Sequence, residues 1–261
     1  MLSDLAPEKN NQTNLYPGEA SREMIEAGVF YGLRSSKTHP RMRQYVLASR
    51  GGIDIINLLK TAEKLEKALG FLKEVVKNGG LVLLVGTQPA AEESVLELAK
   101  KFGLPYARER WPGGILTNFK VISKRIEYFQ KLKADFAAGA FLKYTKKERL
   151  GVEREIERLR ELFEGLENLT REPNALLIID PVLHRTAVRE ANRLKIPVIA
   201  LSNLDADPNE VECLVPGNDS SRTSINWFLG KIETAISEGT SARREVKEKE
   251  EAAVAAVKNE K

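Results

Sequence analysis

The sequence predicts an α/β fold: an open, mostly parallel sheet with helices on both faces, into which a helical hairpin is inserted. Three apolar runs of strand length lie at residues 81–85, 175–179 and 196–201. Such near-continuous runs are typical of parallel strands buried on both faces. Segments with helical spacing separate the runs, and the order strand, helix, strand indicates right-handed βαβ units.

The first elements are short. Residues 1–18 are polar and rich in turn formers, which predicts a flexible N-terminal arm that buries too little surface to become ordered. A short helix that ends at Gly28, a basic loop and two short strands at 45–48 and 53–56 are expected to follow.

The next elements alternate between helix and strand. Residues 58–76 place apolar side chains at steps of three and four, which predicts a helix with one face in the core. The run 81–85 then forms a strand, 92–102 a second helix, and 104–107 another short strand.

Residues 110–119 (RWPGGILTNF) predict an ordered loop that leads into a helix. The proline restricts its own backbone and that of the tryptophan before it, while two glycines permit conformations that a side chain would forbid. Either Thr117 or Asn118 is placed to cap the helix. The predicted structural junction consists of Trp111, Gly113, Gly114, Thr117 and Asn118.

The segment that follows is too long for a simple crossover, and its apolar residues repeat at heptad spacing in two arms. These are Phe119, Ile122, Ile126, Phe129 and Phe136 on the first arm, and Val152, Ile156, Leu159, Phe163 and Leu166 on the second. Residues 137–140 form the bend, and Thr145 with Glu148 fits a capping box. We expect a projecting α-helical coiled-coil hairpin, with arms on the order of 30 Å long at ~1.5 Å per residue.

The remaining chain returns to the sheet, with strands at 175–179, 196–201 and 212–215 and helices at 186–194 and 221–238. The predicted organisation is a flexible arm (1–18), a sheet domain (19–118 and 170–239), an inserted hairpin (119–169) and a charged C-terminal tail (240–261).

Positive charge is concentrated in segments, although the whole chain carries 41 basic and 37 acidic residues, a net charge of +4. Residues 27–51 contain basic and aromatic residues but no acidic one, and the first arm and bend of the hairpin are also basic. Such segments can contact phosphates and stack on unpaired bases, which predicts RNA binding. The candidate contacts are Arg34, Lys37, Arg41, Arg43, Arg50, Arg108, Arg110, Lys120, Lys124, Arg125, Lys143, Lys146, Lys147 and Arg149.

Two other functions remain open from these patterns. A Rossmann-like nucleotide-binding enzyme is one, since residues 85–89 join a strand to a helix and Asp180 follows a buried strand. However, the G-x-G-x-x-G pattern, the phosphate-binding Gly-Lys-Ser/Thr sequence and a Gly-x-Ser-x-Gly elbow are all missing. The other alternative is an interaction module that oligomerises through the hairpin.

Several site types are not expected. His39 and His184 have no Cys or His neighbours at ligand spacing, so no metal site is predicted. The single Cys213 excludes an intramolecular disulfide and fits a reducing compartment. No apolar run approaches the ~20 residues of a membrane span, and no targeting segment is recognisable, which predicts a cytoplasmic protein.

The sequence resembles the S2 family of bacterial small-subunit ribosomal proteins over residues 20–239. The resemblance is carried by residues 110–119, 144–150, 187–200 and 215–219. It implies a flavodoxin-like sheet with a projecting helical hairpin, located where the head and body of the small subunit meet. It also implies contacts with small-subunit rRNA and other ribosomal proteins, including ribosomal protein S1. It implies a protein that is not an enzyme and that uses no cofactor and no small-molecule substrate.

Overall fold

The computed structural model describes residues 19–259, with side chains described for 22–245, so the predicted arm (1–18) lies outside the described residues. The helices are α1 (Glu19–Glu26), α2 (Leu58–Lys77), α3 (Pro89–Phe102), α4 (Phe119–Ala137), α5 (Lys146–Phe163), α6 (Arg185–Arg193) and α7 (Arg222–Asn259), with 3-10 helices at Pro40–Tyr45 and Glu164–Leu166. The strands are β1 (Tyr31–Arg34), β2 (Val46–Arg50), β3 (Ile53–Ile56), β4 (Val82–Val85), β5 (Tyr106–Ala107), β6 (Ala175–Ile179), β7 (Val198–Ser202) and β8 (Cys213–Pro216).

The main sheet has the strand order β5-β4-β6-β7-β8, and every neighbouring pair is parallel. Numbered within this sheet, the order is 2-1-3-4-5, which is the flavodoxin-like order. The parallel sheet predicted from the apolar runs is therefore confirmed.

Alternate residues of each strand enter separate cores on the two faces of this sheet. Leu83 and Val85 of β4 belong to the core beneath α4, α5 and α6, whereas Val82 and Leu84 belong to the core beneath α2, α3 and α7. Because both faces are covered, all four β4 residues are buried, which explains why the strand carries no polar residue. The prediction of helices on both faces is confirmed.

A second, antiparallel sheet has the order β1-β3-β2. Gly51 and Gly52 both have positive φ (57° and 78°) in the turn between β2 and β3, a conformation that glycine adopts without strain. The sequence pattern predicts β2 and β3 but assigns β1 to a basic loop, and that assignment was wrong. Tyr31 pairs with Ile55, so β1 forms because a distant strand supplies its hydrogen bonds.

The last helix is longer than predicted. The sequence suggests an end at residue 238, but α7 continues to Asn259. Gly239 lies within it, where a Cβ would come within 2.9 Å of the Lys73 carbonyl oxygen and 3.0 Å of Val76 Cβ on α2. Glycine there permits close helix packing, and the Ala, Glu and Lys residues beyond it favour helix.

The insertion consists of α4 and α5 joined by a bend at residues 138–145, which is longer than the predicted bend at 137–140. Ile122, Ile126 and Phe129 of α4 are buried with Ile156 and Phe163 of α5, in the same core as one face of the main sheet. The side chains of residues 142–150 are all exposed. The end of the insertion is therefore largely open to solvent, and its coiled-coil geometry stays a prediction.

Candidate nucleic-acid interface

The loop before α4 is held by one buried carboxylate, that of Glu190 on α6, which is 8% exposed. Its Oε1 accepts hydrogen bonds from Trp111 Nε1 (3.1 Å) and Gly114 N (2.8 Å). Its Oε2 accepts from Leu116 N (3.1 Å) and from both the N and Oγ1 of Thr117 (3.2 Å each). Glu190 thus fixes the whole approach to the hairpin.

This arrangement corrects the predicted helix cap. Asn118 occupies the N-cap position of α4 but makes no side-chain cap hydrogen bond, and the Thr117 hydroxyl donates to Glu190 instead. A carboxylate from another helix therefore satisfies the free N–H groups next to the start of α4.

The carboxylate of Glu190 is ionised despite its burial. Burial raises its pKa, but hydrogen bonds from Gly114, Trp111, Thr117 and Leu116 together outweigh burial and lower the pKa below its ordinary value. The sequence offered one signal for this role, since Glu190 lies three residues after the buried Ala187 and next to the buried Ala191. A charge on the apolar face of a helix requires a partner.

A second buried carboxylate, Asp54 of β3, organises the N-terminal basic segment, and its residue is only 4% exposed. It accepts hydrogen bonds from the hydroxyls of Ser35 (2.5 Å), Ser49 (2.5 Å) and Thr38 (2.6 Å). Burial raises the pKa of Asp54, but the hydrogen bonds from these hydroxyls and the charge of the nearby Arg43 together outweigh burial. The pKa therefore lies below its ordinary value. Sequence reasoning did not identify Asp54.

The basic residues of this segment stand on a defined framework. Arg34 ends β1, Lys37 lies in the following turn, Arg41 and Arg43 are on the 3-10 helix, and Arg50 ends β2. The His39 amide donates to the Leu204 carbonyl (2.7 Å), which attaches the segment to the loop after β7. The second group of cations lies along α4, in the bend and on the first turn of α5.

Three of the candidate RNA contacts already have carboxylate partners. Arg41 pairs with Asp207 (2.8 Å), Arg149 approaches Glu153 (3.7 Å), and Arg108 pairs with both Glu92 (3.3 Å) and Glu109 (3.0 Å). Exposed pairs of this kind contribute little and exchange readily. Arg108 is the most enclosed of the three, with its side chain 26% exposed.

The other candidates form what we call the open cations: exposed residues with no carboxylate oxygen within 4.0 Å among residues 22–245. They are Arg34, Lys37, Arg43, Arg50, Arg110, Lys120, Lys124, Arg125, Lys143, Lys146 and Lys147.

The crevice that would hold a nucleotide in a flavodoxin-like fold lies at the carboxyl ends of β4 and β6, where the strand order reverses. Here it is bridged by side chains. Gln88 Nε2 donates to Asp180 Oδ2 (2.6 Å), and Thr87 Oγ1 lies 3.0 Å from Nε2 of the buried His184. Burial also raises the pKa of nearby Asp219 to about 7, with Asp180 and Asp205 adding repulsion. Carboxylates at this edge oppose a bound phosphate.

The described part of the chain lacks two further site types. No group of three or more His, Cys, Asp or Glu side chains there could hold a metal ion. None of its helices combines the length and apolar character needed to cross a membrane.

A flavodoxin-like sheet, a helical insertion and two groups of open cations define the class of this protein as an α/β scaffold with basic segments, and comparison with known proteins shows its family. Residues 24–239 match the family described as Ribosomal protein S2. The chain belongs to that family, which is a ribosomal protein family and not an enzyme family, and the resemblance stated from the motifs is confirmed.

Relatives from three bacteria match over most of their lengths, and each carries the name small ribosomal subunit protein uS2. The protein of Thermus thermophilus is 41% identical over 210 residues, covering 80% of this chain and 82% of the relative. That of Dictyoglomus turgidum is 42% identical over 229 residues (88% and 92%), and that of Dehalococcoides mccartyi 38% over 223 residues (85% and 91%).

Proposed function

We propose that this chain is a structural component of the small ribosomal subunit and binds small-subunit rRNA mainly through backbone phosphates. The observation that carries the proposal is the set of open cations. A cation that has no carboxylate partner in the protein is available to neutralise a phosphate, and phosphate contacts position a protein on RNA without reading its sequence.

The two buried carboxylates support this role by fixing the framework beneath the cations. Asp54 ties three hydroxyls of the N-terminal basic segment together, and Glu190 fixes the loop from which α4 starts. Both groups of open cations are thus attached to an ordered backbone, which reduces the entropy lost on binding. Residues 119–169 act in this proposal as an arm that extends the cationic surface away from the sheet domain.

The proposed partners are small-subunit rRNA and neighbouring ribosomal proteins, including ribosomal protein S1, within the ribosome in the cytoplasm. No cofactor, metal or small-molecule substrate enters the proposal, and the sheet serves as a scaffold without catalysis. The bridged crevice between β4 and β6 supports this view, because Gln88 and Asp180 meet where a nucleotide would otherwise lie.

The test is the salt dependence of binding to purified small-subunit rRNA. Replacing Lys37 and Arg43 by glutamine removes two open cations, so the slope of log affinity against log salt should become shallower by ~0.7–0.9 for each lost contact. The control is Lys67→Gln, because Lys67 lies on α2, which covers the opposite face of the main sheet from α4 and α5, and it is not one of the candidate RNA contacts; its slope should match the wild type. An unchanged slope in the double variant would contradict the proposal for this segment.

A further inference from the structure

The hairpin bend carries an ordered cluster of aromatic side chains. The ring centroid of Phe141 lies 6.2 Å from that of Phe136 and 5.3 Å from that of Tyr144, the latter pair being edge to face. The guanidinium carbon of Arg149 lies 5.9 Å from the Phe136 centroid. These contacts orient the cluster without burying all of it, since Tyr144 stays 51% exposed.

The backbone around the cluster is fixed on both sides. Gly139 lies two residues after the end of α4 and has a φ of 77°, and its amide donates to the Phe136 carbonyl at 3.1 Å. The Tyr144 amide donates to the Phe141 carbonyl at 3.1 Å, and the next residue, Thr145, is the N-cap of α5. Tyr144 is therefore held before any partner arrives, which lowers the entropy cost of binding.

The surroundings of Tyr144 are cationic. Lys143, Lys146 and Lys147 are among the open cations defined above. The nearby carboxylate of Glu148 is engaged in the capping box, where it accepts from Thr145 N (2.9 Å) and Thr145 Oγ1 (2.8 Å). Lysine is depleted from protein–protein interfaces, whereas an aromatic ring among lysines suits nucleic acid.

We propose that the hairpin bend binds an unpaired nucleotide of RNA, with its base stacked on Tyr144 and the adjoining phosphates contacted by Lys143, Lys146 and Lys147. This inference rests on the proposed function and adds a contact to a base, in a single-stranded region. The interior of a duplex cannot supply that contact, because its bases are stacked on each other and A-form grooves do not offer their faces.

The test uses the full-length protein and two RNAs with the same stem. One is a stem-loop with 2-aminopurine in its unpaired loop, and the other is the blunt duplex. Tyr144→Ala should weaken binding to the stem-loop by at least about fivefold, the lower end of what a base stacked on an aromatic ring contributes. The affinity of Tyr144→Ala for the duplex should equal that of the wild type. The quenching of 2-aminopurine fluorescence that the wild type causes on binding should be lost in Tyr144→Ala. Tyr144→Phe, which keeps the ring, should retain both.

The matched control is Tyr128→Ala, since Tyr128 is also a tyrosine, 53% exposed, but lies on α4 away from the bend; it should behave as the wild type. Equal affinities of Tyr144→Ala and wild type for the stem-loop would overturn the inference. If Lys146→Gln and Lys147→Gln nevertheless weakened RNA binding, the proposed function would still stand. A Tyr144→Ala protein that keeps both RNA affinities but no longer binds a purified ribosomal protein would identify a protein contact and also overturn it. Failure of the wild type to bind either RNA would overturn both proposals.

Discussion

Removal of the Glu190 carboxylate should weaken the fold strongly, because several donors converge on it. In Glu190→Ala, Trp111 Nε1 and Leu116 N lose their acceptor in a buried setting, while water can reach Gly114 N and Thr117. Each buried donor without a partner costs ~1–3 kcal/mol. Two such donors cost ~2–6 kcal/mol, partly offset because the variant no longer buries a charge, so we expect a loss of ~3 kcal/mol.

Glu190→Gln should fall between wild type and Glu190→Ala. Its one remaining oxygen can accept from the donors on one side of the wild-type carboxylate, while its amide group faces the donors on the other side. The assay is urea unfolding followed by circular dichroism, with Glu161→Ala as a control at an exposed glutamate of α5. A loss in Glu190→Ala no larger than in Glu161→Ala would refute the reasoning.

The pH dependence provides a second test of Glu190. Its folded-state pKa lies below the ordinary value of 4.5. A carboxylate whose pKa is lowered by folding stabilises the fold at pH values above its ordinary pKa. This stabilisation is lost as the pH falls through the folded-state pKa. The difference in the free energy of unfolding between wild type and Glu190→Gln should therefore be largest at neutral pH and should shrink below pH 4.5.

Three further predictions concern other positions. The pKa of Asp219 is raised from 3.8 to about 7, so the fold loses stability as the pH rises between those two values. In thermal unfolding at pH 8, Asp219→Asn should therefore be more stable than wild type by up to ~4 kcal/mol. Below pH 3.8 the two proteins should be equally stable. Asp54→Ala should lower the free energy of unfolding by ~1–3 kcal/mol in urea and weaken rRNA binding through the N-terminal basic segment; an unchanged rRNA affinity would separate the two roles. Gly165→Ala should cost ~1–3 kcal/mol in thermal unfolding, because its Cβ would overlap the Tyr106 carbonyl oxygen.

The sequence predicted the elements whose signals are local. The β4 and β6 runs are apolar throughout because both faces of each strand are covered, so burial is visible in consecutive residues. The capping box of Thr145 and Glu148 was predicted for the same reason, since both partners lie within one turn, and the structure confirms it.

The missed features depend on partners that are distant along the chain. Glu190 acts on Trp111 across 79 positions, and nothing in either local pattern links them. Asp54 looks like an ordinary strand residue until β1 and β2 fold around it and bring three hydroxyls together. The ion pair between Arg41 and Asp207 spans 166 positions, so sequence reasoning counted Arg41 as an available cation.

Chemical labelling of lysines in free protein and in assembled small subunits tests the central claim most directly. If the open cations contact rRNA phosphates, then Lys37, Lys120, Lys124, Lys143, Lys146 and Lys147 should be acetylated in the free protein and protected in the subunit, as measured by mass spectrometry. Lys67, paired with Glu63 on α2, should keep its reactivity. Equal reactivity of the open lysines in both states would contradict the account.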